Sequence, residues 1–214
     1  MSLKLFGRND SVNVQKVMWL LAELGLPYEQ IEKGGKFGGL DDPEFLAMNP
    51  VGRVPVLLDG ETAVFESNAI LRYLATTRPG GEGVYPADPG LRAQIDAWMD
   101  YALGTLYSDF AQLFLGVVKT PPATRNMKVI AITARRFQAN MLTVGQTLGD
   151  RDWLVGDSLS LADIAVGAFM YRFYALPMIK RVDQARVQAW TNRLVERDAY
   201  KQTLGSSFKH MFVT

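Results

Sequence analysis

A proline stands inside residues 54–58, a hydrophobic stretch that otherwise has the composition of a β-strand. Proline cannot donate to a sheet ladder, so within a strand it needs a special role, and a cis peptide bond is one such role. We therefore expect a cis bond between Val54 and Pro55 that leaves the backbone N–H and C=O of Val54 facing outward. These two groups could pair with an extended peptide, as at an open sheet edge.

Glu66 and Ser67 stand at the predicted start of a helix, and a helix N-terminus attracts a carboxylate. Ile70, not an acidic residue, lies three positions after Ser67, so no capping box competes for the serine hydroxyl. Together with the expected cis-proline edge, this pair predicts a site for a small acidic peptide. Arg53 and Lys36 are cations near the same edge, and they belong either to this site or to the ordinary charged surface.

Ser11 precedes the first predicted helix, where it is either an ordinary N-cap or a hydroxyl aimed at a substrate thiol. A hydroxyl hydrogen bond and the positive end of the helix dipole both favour a thiolate. Lowering a thiol pKa by about 2 units takes about 2.7 kcal/mol, which these two effects can supply together. Asn13 offers its side-chain amide as an alternative donor, and the sequence leaves the choice between them open.

The composition excludes several classes of site. The 214 residues include no cysteine and one histidine, His210, so disulfides, a protein thiol nucleophile and metal sites of cysteine or clustered histidine are excluded, and no metal is predicted. We expect His210 at the surface.

With 48% hydrophobic and 21% charged residues the chain should fold, and a net charge of +1 without a basic block predicts no nucleic-acid partner. Since apolar runs stay short of the ~18 residues of a membrane span and no signal peptide is evident, we predict a cytoplasmic protein with no membrane partner.

The elements that must position these residues form two groups. Residues 3–6, a helix from Ser11 to Gly25 and residues 28–31 read as a βαβ unit with parallel strands. Residues 54–58 and 62–65 read as a hairpin, followed by a helix that ends near Thr77. Residues 78–90 are rich in proline and glycine, as linkers are. The predicted domains are 1–78 and 89–214, with 79–88 between them.

The second group is predicted to be entirely helical. A long helix covers about 91–118, with a bend expected at Gly104, and the next helix is expected to be capped at Thr120 and Pro121. Further helices fit about 161–175, 183–197 and 198–204. Ser160 and Asp163 have the spacing of a capping box that stabilises the helical domain. An aromatic stripe along the long helix is either core or the wall of a pocket for an apolar co-substrate: Trp98, Tyr101, Tyr107, Phe110 and Phe114.

With these features the chain resembles the bacterial cytosolic glutathione S-transferases of the serine type, over essentially its full length. The resemblance lies in residues 5–17, 49–57, 65–74 and 159–165, in that order. It implies a thioredoxin-like N-terminal domain of mixed α and β structure, an all-helical C-terminal domain and usually a homodimer. It also implies activation of glutathione as a thiolate, which attacks a small hydrophobic electrophile. Glutathione is then a co-substrate, and no cofactor is bound permanently.

By this resemblance Ser11 is the activating hydroxyl, Val54 pairs with the cysteinyl backbone of glutathione, and Glu66 and Ser67 hold its γ-glutamyl end. The family's tyrosine-type mechanism is not expected, because Phe6 and Gly7 stand at the end of the first strand. The thiol-exchange classes are excluded by the lack of cysteine. Two alternatives stay open: a non-catalytic ligand-binding or regulatory protein on the same fold, and a glutathione-dependent isomerase, dehalogenase or peroxidase.

Overall fold

The computed structural model describes residues 3–205 and 207–213. Its first part is a four-stranded sheet with the strand order β2-β1-β3-β4. The strands are β1 (Leu3–Phe6), β2 (Tyr28–Ile31), β3 (Val56–Asp59) and β4 (Thr62–Phe65), and the first helices are α1 (Val12–Glu23), α2 (Pro43–Met48) and α3 (Ser67–Thr77). Strand β2 is parallel to β1, while β3 is antiparallel to both β1 and β4. The predicted βαβ unit and hairpin are both confirmed.

Local sequence signals explain the boundaries of these elements. The side chains of α1 that face the core recur at helical spacing, with Val14, Val17 and Leu21 fully buried. The helix stops before Gly25, whose φ of 62° suits a residue without a Cβ atom. The strand predicted at 54–58 begins two residues later, since β3 covers Val56–Asp59; Pro55 has no N–H for the ladder.

The second part of the chain is helical. It contains α4 (Pro89–Tyr101), α5 (Tyr107–Phe114), α6 (Met127–Leu148), α7 (Leu161–Gly167), α8 (Met170–Ala175), α9 (Ala185–Glu196) and α10 (Asp198–Thr203). The π-helical turn Ala102–Leu106 joins α4 to α5 and includes Gly104, where a bend is predicted, and the π-helical turn Leu115–Lys119 follows α5. The predicted helix at 161–175 is divided, because α7 ends at Gly167 and α8 begins three residues later.

The predicted cap at Thr120 is wrong. Helix α6 begins at Met127, and its cap is Asn126, whose Oδ1 accepts a hydrogen bond from the backbone N–H of Val129 at 3.1 Å. The hydroxyl of Thr120 instead donates to the backbone oxygen of Leu115 at 2.9 Å, so it closes the preceding helical segment. A short 3-10 turn occupies the residues between the two caps.

The capping box at Ser160 is confirmed and extends further than expected. Asp163 is fully buried, and its Oδ2 accepts from the N–H of Ser160 at 3.0 Å and from its hydroxyl at 2.7 Å. Its Oδ1 accepts from the N–H of Leu154 and from Nε1 of Trp190, both at 2.9 Å. Burial raises the pKa of Asp163, while these hydrogen bonds favour the carboxylate. One side chain thus connects α7, α9 and the loop before α7.

The two parts pack against each other over one continuous hydrophobic core. Helix α1 lies against α10 and α7, and the guanidinium of Arg197 binds both carboxylate oxygens of Glu23 at 2.7 Å. We propose residues 79–88 as the linker between domains of residues 1–78 and 89–214. Within the described ranges, no helix has the length and apolar character that crossing a membrane requires.

Candidate functional site

A cavity of about 520 Å³, here called the larger cavity, opens where the sheet edge, the start of α3 and the π-helical turn after α4 come together. Most of the predicted site residues line it: Ser11, Asn13, Arg53, Val54, Pro55, Glu66, Ser67 and Tyr107. Residues that are far apart in the sequence therefore line one cavity. Arg8, Leu40, Asn49 and Leu103 also line the larger cavity, and the sequence did not point to them.

The sheet edge of the larger cavity has the expected geometry. The Val54–Pro55 bond is cis, and the backbone N–H and C=O of Val54 form no hydrogen bond within residues 3–205 and 207–213. The buried side chain of Asn49 supports the loop before them, since its Nδ2 donates to the backbone oxygen of Arg53 at 2.7 Å and its Oδ1 accepts from the N–H of Val51 at 3.0 Å. An extended backbone could pair with Val54 without displacing any bond of the described chain.

The start of α3 forms the second wall. Glu66 has φ 67°, in the left-handed region that side chains rarely adopt, and such backbone strain is concentrated at functional sites in proteins. Ser67 is the first residue of α3, is 4% exposed, and its hydroxyl bonds to no described residue. The N–H groups of this first turn lack helical partners. The wall therefore offers both a carboxylate and a cluster of donors.

A buried lysine lies beneath this wall. Lys16 is 2% exposed, and its Nζ donates to Oδ1 of Asn68 at 2.8 Å, while Nδ2 of Asn68 donates to the backbone oxygen of Met99 at 2.8 Å. Burial lowers the pKa of Lys16 to about 7; the nearby Glu66 opposes this effect and Arg72 adds to it. This chain of contacts ties α1, α3 and α4 together. The one sequence signal for it is a single charged residue on the apolar face of α1.

Ser11 occupies the N-cap position of α1, but its hydroxyl does not cap the helix. Its backbone oxygen accepts from the N–H of Gln15 at 2.8 Å, so the helix starts normally while the hydroxyl is left for a ligand. Asn13, on the first turn, lines the same cavity. The structure brings both candidate donors to one place and leaves the choice between them to experiment.

A second cavity of about 230 Å³, here called the smaller cavity, also has Ser11 in its wall. Three of the predicted aromatic residues line it, namely Tyr107, Phe110 and Phe114 of α5. The rings of Phe110 and Phe114 lie 5.9 Å apart between centroids. Because Ser11 lines both cavities, a group held in the smaller one lies next to a group held in the larger one.

Tyr101 is not brought to the smaller cavity. Its hydroxyl donates to the backbone oxygen of Asn140 at 3.3 Å, and its ring packs edge-on against Trp98 at 5.4 Å between centroids. Burial raises the pKa of Tyr101. Tyr101 lies at the end of α4. Because a π-helical turn separates it from α5, its side chain points in a different direction from the aromatic side chains of α5. The structure therefore favours a packing role between α4 and α6.

Arg172 of α8 reaches the segment that carries Ser11. Its Nη2 donates to the backbone oxygen of Asp10 at 2.7 Å and to Oε1 of Gln15 at 2.8 Å. Arg172 is 4% exposed, and burial lowers its pKa to about 10. It fixes the backbone immediately before Ser11 from the other domain. No sequence signal pointed to this residue, because its partners are more than 150 positions away.

The remaining candidates lie at or beyond the rim. Arg53 is exposed at the mouth of the larger cavity, whereas Lys36 lies on an exposed turn with its Nζ 4.9 Å from the ring centroid of Phe37. His210 is at the surface as predicted, with 62% of its side chain exposed, and its Nε2 lies 3.3 Å from Oδ2 of Asp10. Across the described parts of the chain, no three potential metal ligands are clustered.

Comparison with known proteins gives a consistent result. The family model described as glutathione S-transferase, N-terminal domain, matches residues 1–76, and that of the C-terminal domain matches residues 106–198. Glutathione S-transferase GstB of Escherichia coli is 37% identical over 204 residues, which are 94% of this chain and 97% of that protein. Glutathione S-transferase F10 of Arabidopsis thaliana is 30% identical over 85% of this chain and 87% of its own length.

A solved structure resembles the whole fold. The theta class glutathione S-transferase of Xanthomonas axonopodis pv. citri, with glutathione bound, superimposes with a TM-score of 0.91 at 38% sequence identity. The alignment covers 96% of this chain and 98% of that one.

Proposed function

The chain belongs to the glutathione S-transferase family, and we propose that it transfers glutathione to small hydrophobic electrophiles. The observation that carries this proposal is the position of Ser11 between two cavities. The larger cavity offers an unpaired strand edge and a helix N-terminus, which suit an acidic tripeptide, and the smaller one offers aromatic walls. A thiol placed at Ser11 would face both.

The larger cavity supplies a partner for each part of glutathione. The N–H and C=O of Val54 pair with the cysteinyl backbone, as in strand addition. The first-turn N–H groups of α3 and the hydroxyl of Ser67 bind the γ-glutamyl carboxylate, and the side chain of Glu66 binds its ammonium group. Arg53, exposed at the rim, would meet the remaining carboxylate at the outer end.

Ser11 then acts on the sulfur. Its hydroxyl donates a hydrogen bond to the thiolate, and the N-terminus of α1 adds a positive potential, so the thiol proton is released to solvent near neutral pH. The sulfur attacks the electrophilic carbon held in the smaller cavity, a carbon–sulfur bond forms, and the leaving group departs with its electron pair. Holding the two reactants together provides much of the rate enhancement.

Glutathione conjugation to 1-chloro-2,4-dinitrobenzene tests this function. We expect Ser11→Ala to lower kcat about tenfold, the effect of one hydrogen bond to a charged group, and to leave the calorimetric Kd for glutathione nearly unchanged. Asn13→Ala is the matched variant on the same turn. If Asn13→Ala has this effect and Ser11→Ala does not, the amide is the activating group. A protein that neither binds glutathione nor conjugates it would contradict the proposal.

We further propose that the protein works as a homodimer in the cytoplasm, as the resemblance to its family implies. Light scattering at micromolar concentration tests the dimer, and a monomer at every concentration would contradict it.

A further inference from the structure

The wall of the smaller cavity carries a surplus of positive charge. Three cationic side chains line it, Arg8, Lys119 and Arg172, against one carboxylate, Asp10. The Oδ1 atom of that carboxylate lies 3.1 Å from Nε of Arg8 but accepts no hydrogen bond within the described residues, and its Oδ2 lies 3.3 Å from Nε2 of His210. A neutral hydrophobic substrate would not need such a wall.

Arg172 is the cation that most needs an anion. It is 4% exposed, and its hydrogen-bond partners are neutral, the backbone oxygen of Asp10 and the amide oxygen of Gln15. Burial lowers the pKa of Arg172, the nearby carboxylate of Asp10 opposes this effect, and the guanidinium of Arg8 adds to it. Both bonds use Nη2, and among the described residues Nε and Nη1 have no acceptor. A buried charge is normally hydrogen-bonded to a group of opposite charge, and Arg172 has no such bond within the described residues. A ligand carboxylate in the cavity would complete the pair.

The remaining wall selects a flat ring. The guanidinium of Arg172 lies 5.5 Å from the ring centroid of Phe114, which in turn lies 5.9 Å from that of Phe110. A cavity of about 150 Å³ is enough for benzene. At about 230 Å³ the smaller cavity accommodates one ring with its substituents.

We propose that the electrophile is a single-ring aromatic molecule with a carboxylate substituent, and that Arg172 binds this carboxylate. The inference rests on the proposed transferase function and specifies its second substrate. Arg172 and Lys119 hold the anionic end while the electrophilic carbon faces the sulfur at Ser11. With an aryl chloride, the carbon–sulfur bond forms, the carbon–chlorine bond breaks, chloride leaves and the thiol proton passes to solvent.

Two electrophiles that differ mainly in charge test the inference: 4-chloro-3,5-dinitrobenzoate and 4-chloro-3,5-dinitrobenzamide. For each, kcat/KM is divided by the rate constant of free glutathione at the same pH, which removes the difference in intrinsic reactivity. We expect the wild-type protein to prefer the carboxylate at least about tenfold, as a charge-assisted hydrogen bond would give. Raising the salt from 50 to 500 mM should reduce this preference.

Variants locate the source of the preference. Arg172→Gln should abolish it, Arg172→Lys should keep part of it, and Lys119→Gln at the exposed rim should reduce it about twofold to threefold, as expected for a weaker exposed charge pair. Lys128→Gln removes an exposed cation of α6 outside both cavities and should leave the ratio unchanged. Because Arg172 also supports the segment before Ser11, its variants should slow both reactions, and the ratio is the diagnostic quantity.

The outcomes separate the two proposals. Equal normalised efficiencies for the two electrophiles in the wild-type protein overturn the inference and leave the transferase function standing. Turnover of neither electrophile, while 1-chloro-2,4-dinitrobenzene is still conjugated, overturns the inference alone. Conjugation of none of the three electrophiles, without glutathione binding, overturns the function itself. A preference that survives in both Arg172→Gln and Lys119→Gln also contradicts the inference. If Arg172→Gln does not fold, the inference is tested by the wild-type ratio of normalised kcat/KM values, by the salt dependence of that ratio and by the ratio in Lys119→Gln.

Discussion

Lys16 gives the most quantitative prediction, because its environment changes its protonation on folding. Burial lowers the pKa of Lys16 from its ordinary value of 10.5 to about 7. Above pH 7 the folded protein therefore releases a proton that the unfolded chain still holds. When the unfolded state binds more protons, stability rises with pH. The free energy of unfolding should thus increase as pH rises from 7 towards 10.5, and this contribution is lost again as pH falls to 7.

The magnitude follows from the same two pKa values. One proton of difference gives a slope of up to about 1.4 kcal/mol per pH unit. Because about half of the native molecules already hold a neutral Lys16 at pH 7, the gain between pH 7 and pH 9 is about 2 kcal/mol. Lys16→Met keeps the length of the side chain and removes the titrating group. It also leaves Oδ1 of Asn68 without its donor, so absolute stability at pH 7 is a poor readout and the slope is the right one.

Urea unfolding followed by tryptophan fluorescence at pH 7, 8 and 9, at one protein concentration, measures that slope. Trp19 and Trp190 are buried and should report the transition. Between pH 7 and pH 9, the free energy of unfolding should rise by about 2 kcal/mol more in the wild-type protein than in Lys16→Met. Lys128→Met, which removes an exposed charge, should retain the wild-type slope. Identical slopes for wild type and Lys16→Met would show that Lys16 keeps its proton in the folded state and would refute the reasoning.

Three further predictions concern single side chains. Asp163→Ala leaves four donors in the core without an acceptor and should cost at least about 4 kcal/mol in urea unfolding, and a loss below about 1 kcal/mol would contradict the network. Arg197→Met removes the bidentate ion pair with Glu23 and should lower the free energy of unfolding by about 1–2 kcal/mol. This loss should become smaller in high salt, and a loss that does not change with salt would contradict an ion pair. Ser67→Ala should raise the Kd for glutathione about fivefold to tenfold with little change in kcat at saturation, and an unchanged calorimetric Kd would remove this hydroxyl from the site.

Much of the fold was predictable because its signals are local. The cis bond before Pro55, the parallel βαβ unit and the capping box at Ser160 each depend on residues within a few positions of one another, and each is confirmed. Family membership follows from the same segments. The error at Thr120 also has a local cause, because a threonine before a proline suits the end of one helical segment as well as the start of the next.

Contacts between distant elements could not be predicted in this way. Arg172 meets Asp10 and Gln15 only because α8 packs against the start of α1. Tyr101 has the spacing of the pocket aromatics, but the π-helical turn after it changes the phase of the helix and directs it to Asn140. Sequence periodicity describes one continuous helix, so a single inserted π turn is enough to mislead it.

The central claim is that a tripeptide thiol lies between the strand edge at Val54 and the hydroxyl of Ser11. A crystal structure with saturating glutathione tests it most directly. We predict the cysteinyl backbone paired with the N–H and C=O of Val54, and the sulfur within about 3.5 Å of the Ser11 hydroxyl oxygen, the distance of a hydrogen bond to sulfur. Glutathione bound elsewhere, or its sulfur turned away from Ser11, would contradict the account.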